Sequence, residues 1–401
     1  MHILYFHQYF STPDGATGTR SYEMARHLVE RGHKVTLVCG SSGTGDTGIS
    51  ERFKHGRRSG NVVGITVIEF DLPYSNYDGF LKRSLTFFRF ALQSIWLAIT
   101  EKYDLVFATS TPLTASLPGI AARVFRQKPF VFEVRDLWPE LPREMRVITN
   151  PLALKALDIL EWLSYHCANG CVGLSPGIVD GIKRRGILDK NIVMIPNGCD
   201  FRLFKRKKRG LNKKEFKAIF MGAHGIANGL DKVLDAAAEL KKRGREDIKL
   251  LFIGDGKFKP ALKERAKLEH LDNCLFLDPI PKNKIPDLLL QVDAGMMILA
   301  NVPAFYYGTS PNKFFDYIAA GLPVINNYPG WLAGIITENR CGKAVPPENS
   351  AAFADALEFM ADNRDEVAEM GENARSLAER NFNRNQLAEK FTDWLEQNAN
   401  R

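Results

Sequence analysis

The sequence of 401 residues predicts an α/β protein with two doubly wound parallel sheets, one in each half of the chain. Short apolar runs alternate with amphipathic segments through the first half, as in "DLVFAT", a helix and then "PFVFEV". The alternation starts again at "FKAIFMG", after a polar and basic segment without periodicity. A chain of this length exceeds one typical core, so we expect two Rossmann-like domains.

The elements follow from local signals in chain order. "ILYFH" is a short apolar strand, "STPDGATGTR" is a turn-rich loop, and "RSYEMARHLVERG" is an amphipathic helix that stops at Gly32. "KVTLVC", "DLVFAT", "PFVFEV", "GCVGLS" and "NIVMIP" are the later strands of the first half. The second half repeats the pattern with "FKAIFMG", the helix "LDKVLDAAAELKKRG", and the strands "IKLLFIGDG", "CLFLDPI", "AGMMIL" and "LPVINN".

The polar segment "PNGCDFRLFKRKKRGLNKKEFK" marks the domain boundary. We therefore predict an N-terminal domain at 1–195, a C-terminal domain at 196–380, and a helix at 381–401 that returns toward the N-terminal domain. Ligands of doubly wound sheets bind beyond the carboxyl ends of the strands. Two such domains facing each other predict a site in a central cleft.

The net charge of +8 predicts an anionic partner, and basic residues crowd positions 184–217. Nucleic acid is not expected, because aromatic residues do not interleave with the basic ones. The six cysteines lack zinc spacing and are expected to be reduced, as in a cytoplasmic protein. We find neither a secretory leader nor a continuous apolar stretch of about 18 residues that would span a membrane.

Several common catalytic motifs are absent from the sequence. It contains no phosphate-binding G-x-x-x-x-G-K-[ST] loop, no D-x-D pair and no H-E-x-x-H, and Gly15 and Gly18 do not make a G-x-G-x-x-G. We therefore expect neither a metal ion nor a nicotinamide cofactor.

The stretch "SPNKFFDYIAAGLPV" (310–324) contains a single acid, Asp316, near the start of an expected helix. Such an acid can stabilise the dipole of its own helix. It can also accept hydrogen bonds from two adjacent hydroxyls of a ligand, for which an ionised carboxylate is a strong acceptor.

Four segments in the second half occur in a familiar order: "IPNGCDFRLF" (195–204), "LLFIGDG" (250–256), "LDPIPKNKIPDLLLQVDAGMMIL" (277–299) and "SPNKFFDYIAAGLPV". Together they resemble the C-terminal domain of family 4 glycosyltransferases, which have the GT-B fold. The segment "EVRDLWPE" (133–140) is similar to a subgroup that builds bacterial surface polysaccharides, including N-acetylfucosamine transferases of O-antigen and capsule pathways.

The resemblance implies donor-binding residues in the second half. Asp316 takes the place of the second glutamate of the family's E-x7-E motif and would hold the ribose, so Asp316→Ala is expected to weaken donor binding and to leave the fold intact. The helix start at Ser310, Asn312 and Lys313 suits a diphosphate, and Lys313 is also expected to be catalytic. The other implied donor contacts are Gly222, Gly225, Asn228, Gly229, Gly254, Ile280 and Pro281.

The sequence departs from the family pattern at two points. The first glutamate of E-x7-E is replaced by Gly308, and the usual arginine and lysine of the phosphate loop are missing from "GAHGIANGLDK", where His224 and Asn228 stand nearby. Backbone amides between Gly222 and Gly229, together with Lys313, are expected to replace those cations.

Acceptor and catalytic residues are expected in the first half. Arg135 stands where the family carries a histidine, and an arginine can clamp a phosphate or sugar but cannot act as a base. Asp136 suits acceptor hydroxyls, although an N-cap role is equally consistent. Arg20 follows the loop of Gly15 and Gly18 and is expected either to meet a diphosphate of donor or acceptor or to be an exposed arginine at the helix start. Glu133 can be a satisfied buried acid.

The segment "GFLKRSLTFFRFALQSIWLAIT" (79–100) combines an apolar face with basic flanks. That combination suits either a helix buried in the first domain or one that lies in the headgroup region of an anionic cytoplasmic leaflet. We favour peripheral membrane association.

The resemblance implies a retaining, metal-independent transferase that moves a sugar from a UDP-sugar to a saccharide carried on polyprenyl diphosphate, at the cytoplasmic face of the plasma membrane. The alternatives are an epimerase or hydrolase that acts on the UDP-sugar alone, and a non-catalytic accessory protein that binds the nucleotide-sugar.

Overall fold

The computed structural model describes residues 1–75, 77–205 and 214–400. The chain divides into two compact units, and each is built on a parallel sheet, so the predicted α/β class is confirmed. The first unit comprises Met1–Pro196, Gly308–Ser310 and the segment from Asn385 onward, and the second comprises Asn197–Tyr307 and Pro311–Arg384. Of the basic segment 184–217, residues 206–213 lie outside the described ranges.

The sheet of the first unit has eight strands in the order β3-β4-β2-β1-β5-β6-β7-β8, and only the β3–β4 pair is antiparallel. The strands are β1 (His2–Phe6), β2 (Lys34–Ser42), β3 (Arg57–Val62), β4 (Ile65–Tyr74), β5 (Leu105–Thr109), β6 (Phe130–Val134), β7 (Gly170–Gly173) and β8 (Ile192–Met194). The helices are α1 (Arg20–Glu30), α2 (Phe80–Thr100), α3 (Leu117–Arg126), α4 (Glu140–Glu144), α5 (Pro151–Cys167) and α6 (Pro176–Arg184). The central strands β5 and β6 are buried along their whole length, which explains their continuous apolar runs.

The second unit has a six-stranded, all-parallel sheet in the order β11-β10-β9-β12-β13-β14. The strands are β9 (Phe216–Met221), β10 (Ile248–Ile253), β11 (Cys274–Leu277), β12 (Ala294–Met297), β13 (Val324–Asn326) and β14 (Gly342–Ala344). The helices are α7 (Asp231–Lys242), α8 (Lys259–Leu268), α9 (Ile285–Leu289), α10 (Ala304–Gly308), α11 (Asn312–Ala319), α12 (Trp331–Glu338), α13 (Ser350–Asp362) and α14 (Arg364–Asn381).

The last helix, α15 (Arg384–Ala399), contributes to the core of the first unit. Phe391 and Leu395 are fully buried there, and the Phe391 ring meets the Phe107 ring of β5 edge to face, with 4.9 Å between centroids. On the other flank of α15, Glu389 accepts hydrogen bonds from His27 of α1 and from Arg31, which follows α1. The first unit is therefore assembled from both ends of the described chain.

Candidate functional site

Polar side chains of the first unit follow three adjacent strands at their carboxyl ends. His7 comes directly after β1, Ser110 and Thr111 after β5, and Arg135 and Asp136 after β6. Because β1, β5 and β6 are neighbours in a parallel sheet, their ends meet at one edge. This is the edge at which doubly wound sheets bind ligands.

Arg135 is held at this edge by two contacts. Its backbone N–H donates to Ser110 Oγ at 2.9 Å, and its Nη1 donates to His7 Nε2 at 3.1 Å. Burial, reinforced by the charge of Arg135, lowers the pKa of His7 well below its usual range. His7 is therefore neutral, and with Nε2 accepting it carries its proton on Nδ1. The unpredicted His7 thus orients Arg135.

Asp136 accepts a hydrogen bond from the Thr111 hydroxyl at 2.7 Å. Burial raises the pKa of the Asp136 carboxyl, and the hydrogen bond from Thr111 opposes that shift. The N-cap alternative for Asp136 is not observed, because α4 begins only at Glu140 and is preceded by Pro139. The side chain instead joins the strand ends of β5 and β6.

The structure corrects the assignment of Arg20 to a diphosphate. Its side chain is only 2% exposed and forms an ion pair with Glu133 at 2.7 Å. The same guanidinium donates to the carbonyl oxygens of Ile195 and Pro196 at 2.9 and 2.7 Å. Desolvation would raise the pKa of Glu133, but the charge and hydrogen bonds of Arg20, together with Arg135 and the Thr109 hydroxyl, outweigh it and lower that pKa. Arg20 therefore joins α1 to β6 and to the residues after β8, with Glu133 as the satisfied buried acid.

In the loop before α1, Gly15 is required by the packing of the loop itself against the segment at Asp46. A Cβ on Gly15 would lie 2.2 Å from Ser11 Oγ and 2.6 Å from the backbone nitrogen of Asp46. Gly15 is buried and Gly18 is partly exposed. Only Gly18 of the pair therefore presents backbone to the surface.

In the second unit, the predicted glycine positions lie at the carboxyl ends of β9 and β10. The loop after β9 contains Gly222, Gly225, Asn228 and Gly229. A Cβ on Gly254 would lie 1.9 Å from the Gly222 carbonyl oxygen, and one on Gly256 would lie 2.7 Å from that of His224. We predicted Gly254 as a ligand contact, but its missing side chain makes room for the neighbouring loop of the same protein.

Lys313 lies beneath this loop. Its Nζ donates to Asn228 Oδ1 at 3.0 Å, lies 4.0 Å from the centroid of the Phe220 ring, and would be 3.3 Å from a Cβ on Gly222. Within the described ranges, no carboxylate pairs with it. Desolvation lowers the pKa of Lys313 to about 7. An ammonium without a counter-ion, beside a glycine loop, is suited to an anion.

The helix that carries Lys313 begins slightly later than predicted. α11 starts at Asn312 after Pro311, whereas Ser310 is buried and groups with the first unit. Pro311 offers no side-chain cap to the first turn. The N–H groups of that turn are therefore not capped by the preceding residue.

Asp316 lies on α11 and is buried. Its Oδ2 accepts a hydrogen bond from Lys282 Nζ, which also lies 5.7 Å from the centroid of the Phe204 ring. The predicted base contacts precede Lys282 directly, with Ile280 partly buried and Pro281 exposed. The acid is therefore half of an internal ion pair, and the sequence analysis missed its partner.

His224 occupies the position of a missing phosphate cation but is not a cation itself. Its side chain is fully buried, and neither ring nitrogen has a hydrogen-bond partner among the described residues. Burial, with the charge of Lys259 as the next cause, lowers the pKa of His224 to about 4. His224 is therefore uncharged at neutral pH, and the charge that a loop anion would meet is supplied by lysines such as Lys313.

Across the described ranges, no cluster of three or more histidine, cysteine or acidic side chains forms a metal site. None of the helices in those ranges combines the length and the apolar character that crossing a bilayer requires.

Two family models match the chain. The model for glycosyl transferases group 1 matches residues 201–377, and the model for a glycosyl transferase 4-like domain matches residues 15–198. Together they match most of the chain, so the chain belongs to the glycosyltransferases and is an enzyme of that class. No curated protein sequence matches it.

Solved structures similar to this chain have the GT-B fold, which confirms the predicted architecture. Sucrose-phosphate synthase from Thermosynechococcus elongatus matches with a TM-score of 0.75 at 16% identity, covering 99% of this chain and 98% of that chain. Anabaena HepE, in complex with UDP and glucose, matches with a TM-score of 0.71 at 17% identity over 98% and 99%. WaaG, a glycosyltransferase of lipopolysaccharide biosynthesis, matches with a TM-score of 0.70 at 16% identity over 98% and 99%.

Proposed function

We propose that this glycosyltransferase moves a sugar from a UDP-sugar to a saccharide carried on polyprenyl diphosphate, with retention at the anomeric carbon and without a metal ion. The proposal rests mainly on Lys313, a desolvated ammonium without a carboxylate partner beside the glycine loop after β9. A diphosphate supplies the negative counter-charge that this ammonium lacks.

In the proposed donor complex, the diphosphate contacts Lys313, the backbone N–H groups of the loop from Gly222 to Gly229, and the first turn of α11. Asp316 accepts hydrogen bonds from the ribose with its Oδ1, while Lys282 holds Oδ2 and fixes the carboxylate. The residues at Ile280 and Pro281 contact the base. Uracil as the base is supported by HepE, which binds UDP and UDP-glucose.

The acceptor is proposed to bind at the carboxyl edge of the first sheet. Arg135, oriented by His7, binds phosphate or sugar oxygens, and Asp136 orients the acceptor hydroxyl. Neither Arg135 nor the neutral His7, whose Nε2 is already accepting, serves as a base. The acceptor oxygen therefore bonds to the anomeric carbon as the bond to the diphosphate breaks, and the departing phosphate oxygen takes the hydroxyl proton.

A role in bacterial surface polysaccharide synthesis, of the O-antigen or capsule type, is the finer part of the proposal. It is supported by the segment "EVRDLWPE" and by the similarity to WaaG, whose pathway makes lipopolysaccharide. A lipid-linked acceptor requires the enzyme to work at a membrane, and we propose the cytoplasmic face of the plasma membrane.

The first test is a thermal-shift screen with a panel of nucleotide-sugars. A ligand that binds only the folded state raises the melting temperature, so the strongest shift identifies the base and sugar. Lys313→Met should lose most of that shift, whereas Lys284→Met, which changes an exposed lysine of the same unit, should retain it. Equal shifts in both variants would contradict the proposed diphosphate site.

The second test is product analysis with the identified donor. A transferase forms a glycosylated lipid only when a polyprenyl-diphosphate saccharide is present. Release of an altered or free sugar without acceptor would instead establish an epimerase or hydrolase. Donor binding without any product, under both conditions, would indicate an accessory protein and contradict the proposed reaction.

A further inference from the structure

Helix α2 has apolar residues on two opposite faces. Thr86, Phe90, Ser94 and Leu97 face the interior of the first unit and are buried. The opposite face carries a row of exposed apolar side chains at intervals of three or four residues, which we call the α2 stripe: Leu81, Leu85, Phe88, Leu92, Trp96 and Ile99. Leu81 is 82% exposed and Trp96 is 67% exposed.

The α2 stripe runs along most of the helix, from Leu81 to Ile99. At a rise of about 1.5 Å per residue, its ends are about 27 Å apart. The packing of α2 within the first unit uses the other face, so the stripe is not required to complete that core. Exposed apolar residues continue on the neighbouring helix α3, where Phe125 is 71% exposed and Arg126 donates a hydrogen bond to the Ile99 carbonyl oxygen. A contiguous apolar surface of this kind marks an interaction site.

The charges around the α2 stripe are mainly positive, although Asp78, just before α2, pairs with Lys82, and Glu101 follows the helix. α2 and α3 together contain Lys82, Arg83, Arg89, Arg123 and Arg126, and neither helix contains a carboxylate. Arg89 follows Leu85 by one helical turn, so it flanks the stripe. Two copies meeting through this face would bring like charges together, which disfavours a symmetric dimer.

We propose that the α2 stripe lies in the headgroup region of an anionic bilayer, with the helix axis parallel to the membrane plane. The apolar row enters the boundary with the acyl chains, Trp96 occupies the interface that tryptophan prefers, and the flanking cations contact anionic lipids. This inference deepens the proposed function and rests on it, since it identifies the surface by which the enzyme would reach a lipid-linked acceptor.

The experiment measures co-sedimentation with vesicles of phosphatidylcholine alone and of phosphatidylcholine mixed with phosphatidylglycerol. The wild type should bind the anionic vesicles at low salt, and should bind the neutral ones much more weakly. A triple variant, Leu85→Gln, Phe88→Gln and Leu92→Gln, should bind at least about tenfold more weakly, because three side chains no longer enter the membrane. These side chains are exposed, so circular dichroism and the melting temperature should be unchanged.

A matched control changes an exposed leucine of the second unit, Leu268→Gln, and should leave vesicle binding unchanged. Arg89→Gln should weaken binding to anionic vesicles and leave binding to neutral ones unaltered. Binding of the triple variant equal to that of the wild type would overturn the inference. The inference would also be overturned if the wild type did not bind vesicles and light scattering showed that it is a dimer which becomes monomeric in the triple variant.

The nucleotide-sugar thermal shift separates this inference from the proposed function. The triple variant should keep the wild-type shift, because the stripe and the donor residues belong to different units. A wild type that binds donor but no vesicles overturns the membrane inference alone. A wild type that binds vesicles but no nucleotide-sugar overturns the proposed function alone.

Discussion

The burial of Lys313 and its proposed ligand have opposite effects on the charge of this side chain. Its ammonium is desolvated and lacks a carboxylate within the described ranges, which disfavours the charge, while the proposed ligand requires it. Between its folded pKa of about 7 and the ordinary lysine range, the unfolded state binds more protons than the folded state. The stability of the free protein should therefore rise with pH across this window on account of Lys313.

We expect donor affinity to fall as the pH rises through about 7, because the proposed diphosphate binds the protonated form of Lys313.

Lys313→Met should weaken donor binding about 10- to 100-fold, the equivalent of a charge-assisted hydrogen bond of ~1.5–3 kcal/mol. The same change should raise the melting temperature of the free protein at neutral pH. Isothermal calorimetry in buffers of different ionisation enthalpy should also show proton uptake on binding at pH 8, which is absent from the variant.

Asp316 stabilises the fold as well as serving the proposed donor site. Asp316→Ala leaves the ammonium of Lys282 buried without its partner, so it should lower the free energy of unfolding by about 3–5 kcal/mol. This revises the expectation that the substitution leaves the fold intact. Urea denaturation measures the loss.

A double variant separates the two roles of Asp316. Asp316→Ala with Lys282→Met removes both charges and should recover most of the lost stability, while donor binding stays weak. If the double variant is no more stable than Asp316→Ala alone, the ion pair does not account for the loss.

The sequence could identify Asp316 and Lys313 because both lie within one short segment with a recognisable order of residues. It could not identify Lys282 or His7. These side chains meet their partners across 34 and 128 residues of sequence, and only the folded chain brings them together. Arg20 shows the opposite kind of failure. The sequence pattern, an arginine at a helix start after a glycine loop, predicts an exposed cation, but in the folded chain Arg20 is buried in an ion pair with Glu133.

At the scale of elements, the loops after β9 and β10 pack closely against each other because Gly254 has no side chain. Gly254→Ala should destabilise the second unit by several kcal/mol, because the new Cβ meets the Gly222 carbonyl oxygen and because φ at Gly254 is +138°. Gly225→Ala is the matched control, since a Cβ there meets nothing within 4 Å and its φ is negative. Similar urea midpoints for the two variants would contradict this account of the loop packing.

Most strands were predictable because their apolar runs are short and bounded by turn residues, but β3, β4 and β14 were not among the predicted strands. The orientation of α2 was not predictable either. A helix that is apolar on two sides gives a periodicity that does not indicate which side is covered, so burial and membrane contact remained open alternatives from the sequence. Packing against the first unit covers Phe90 and Leu97 and leaves the stripe exposed.

At the scale of the whole molecule, the first unit depends on α15 for part of its core. Phe391→Ala should cost about 3–5 kcal/mol in the free energy of unfolding, since the ring is fully buried against Phe107. Hydrogen exchange should show faster opening in β1 and β5, and unchanged protection in β9 and β10. Gln386→Ala, on the exposed side of the same helix, should have little effect. Equal loss of protection in both units would show that they unfold together.

The path of the chain through the two units determines the order in which their cores can be completed during translation. Synthesis proceeds from the N-terminus, so every residue of the second unit emerges before Phe391 and Leu395 do. During translation, the second unit has its full core first, while the eight-stranded sheet that was made earlier still exposes the surface that α15 later covers. The nascent first unit is therefore the part of the molecule that we expect chaperones to engage, and it reaches its native state only after α15 has been made.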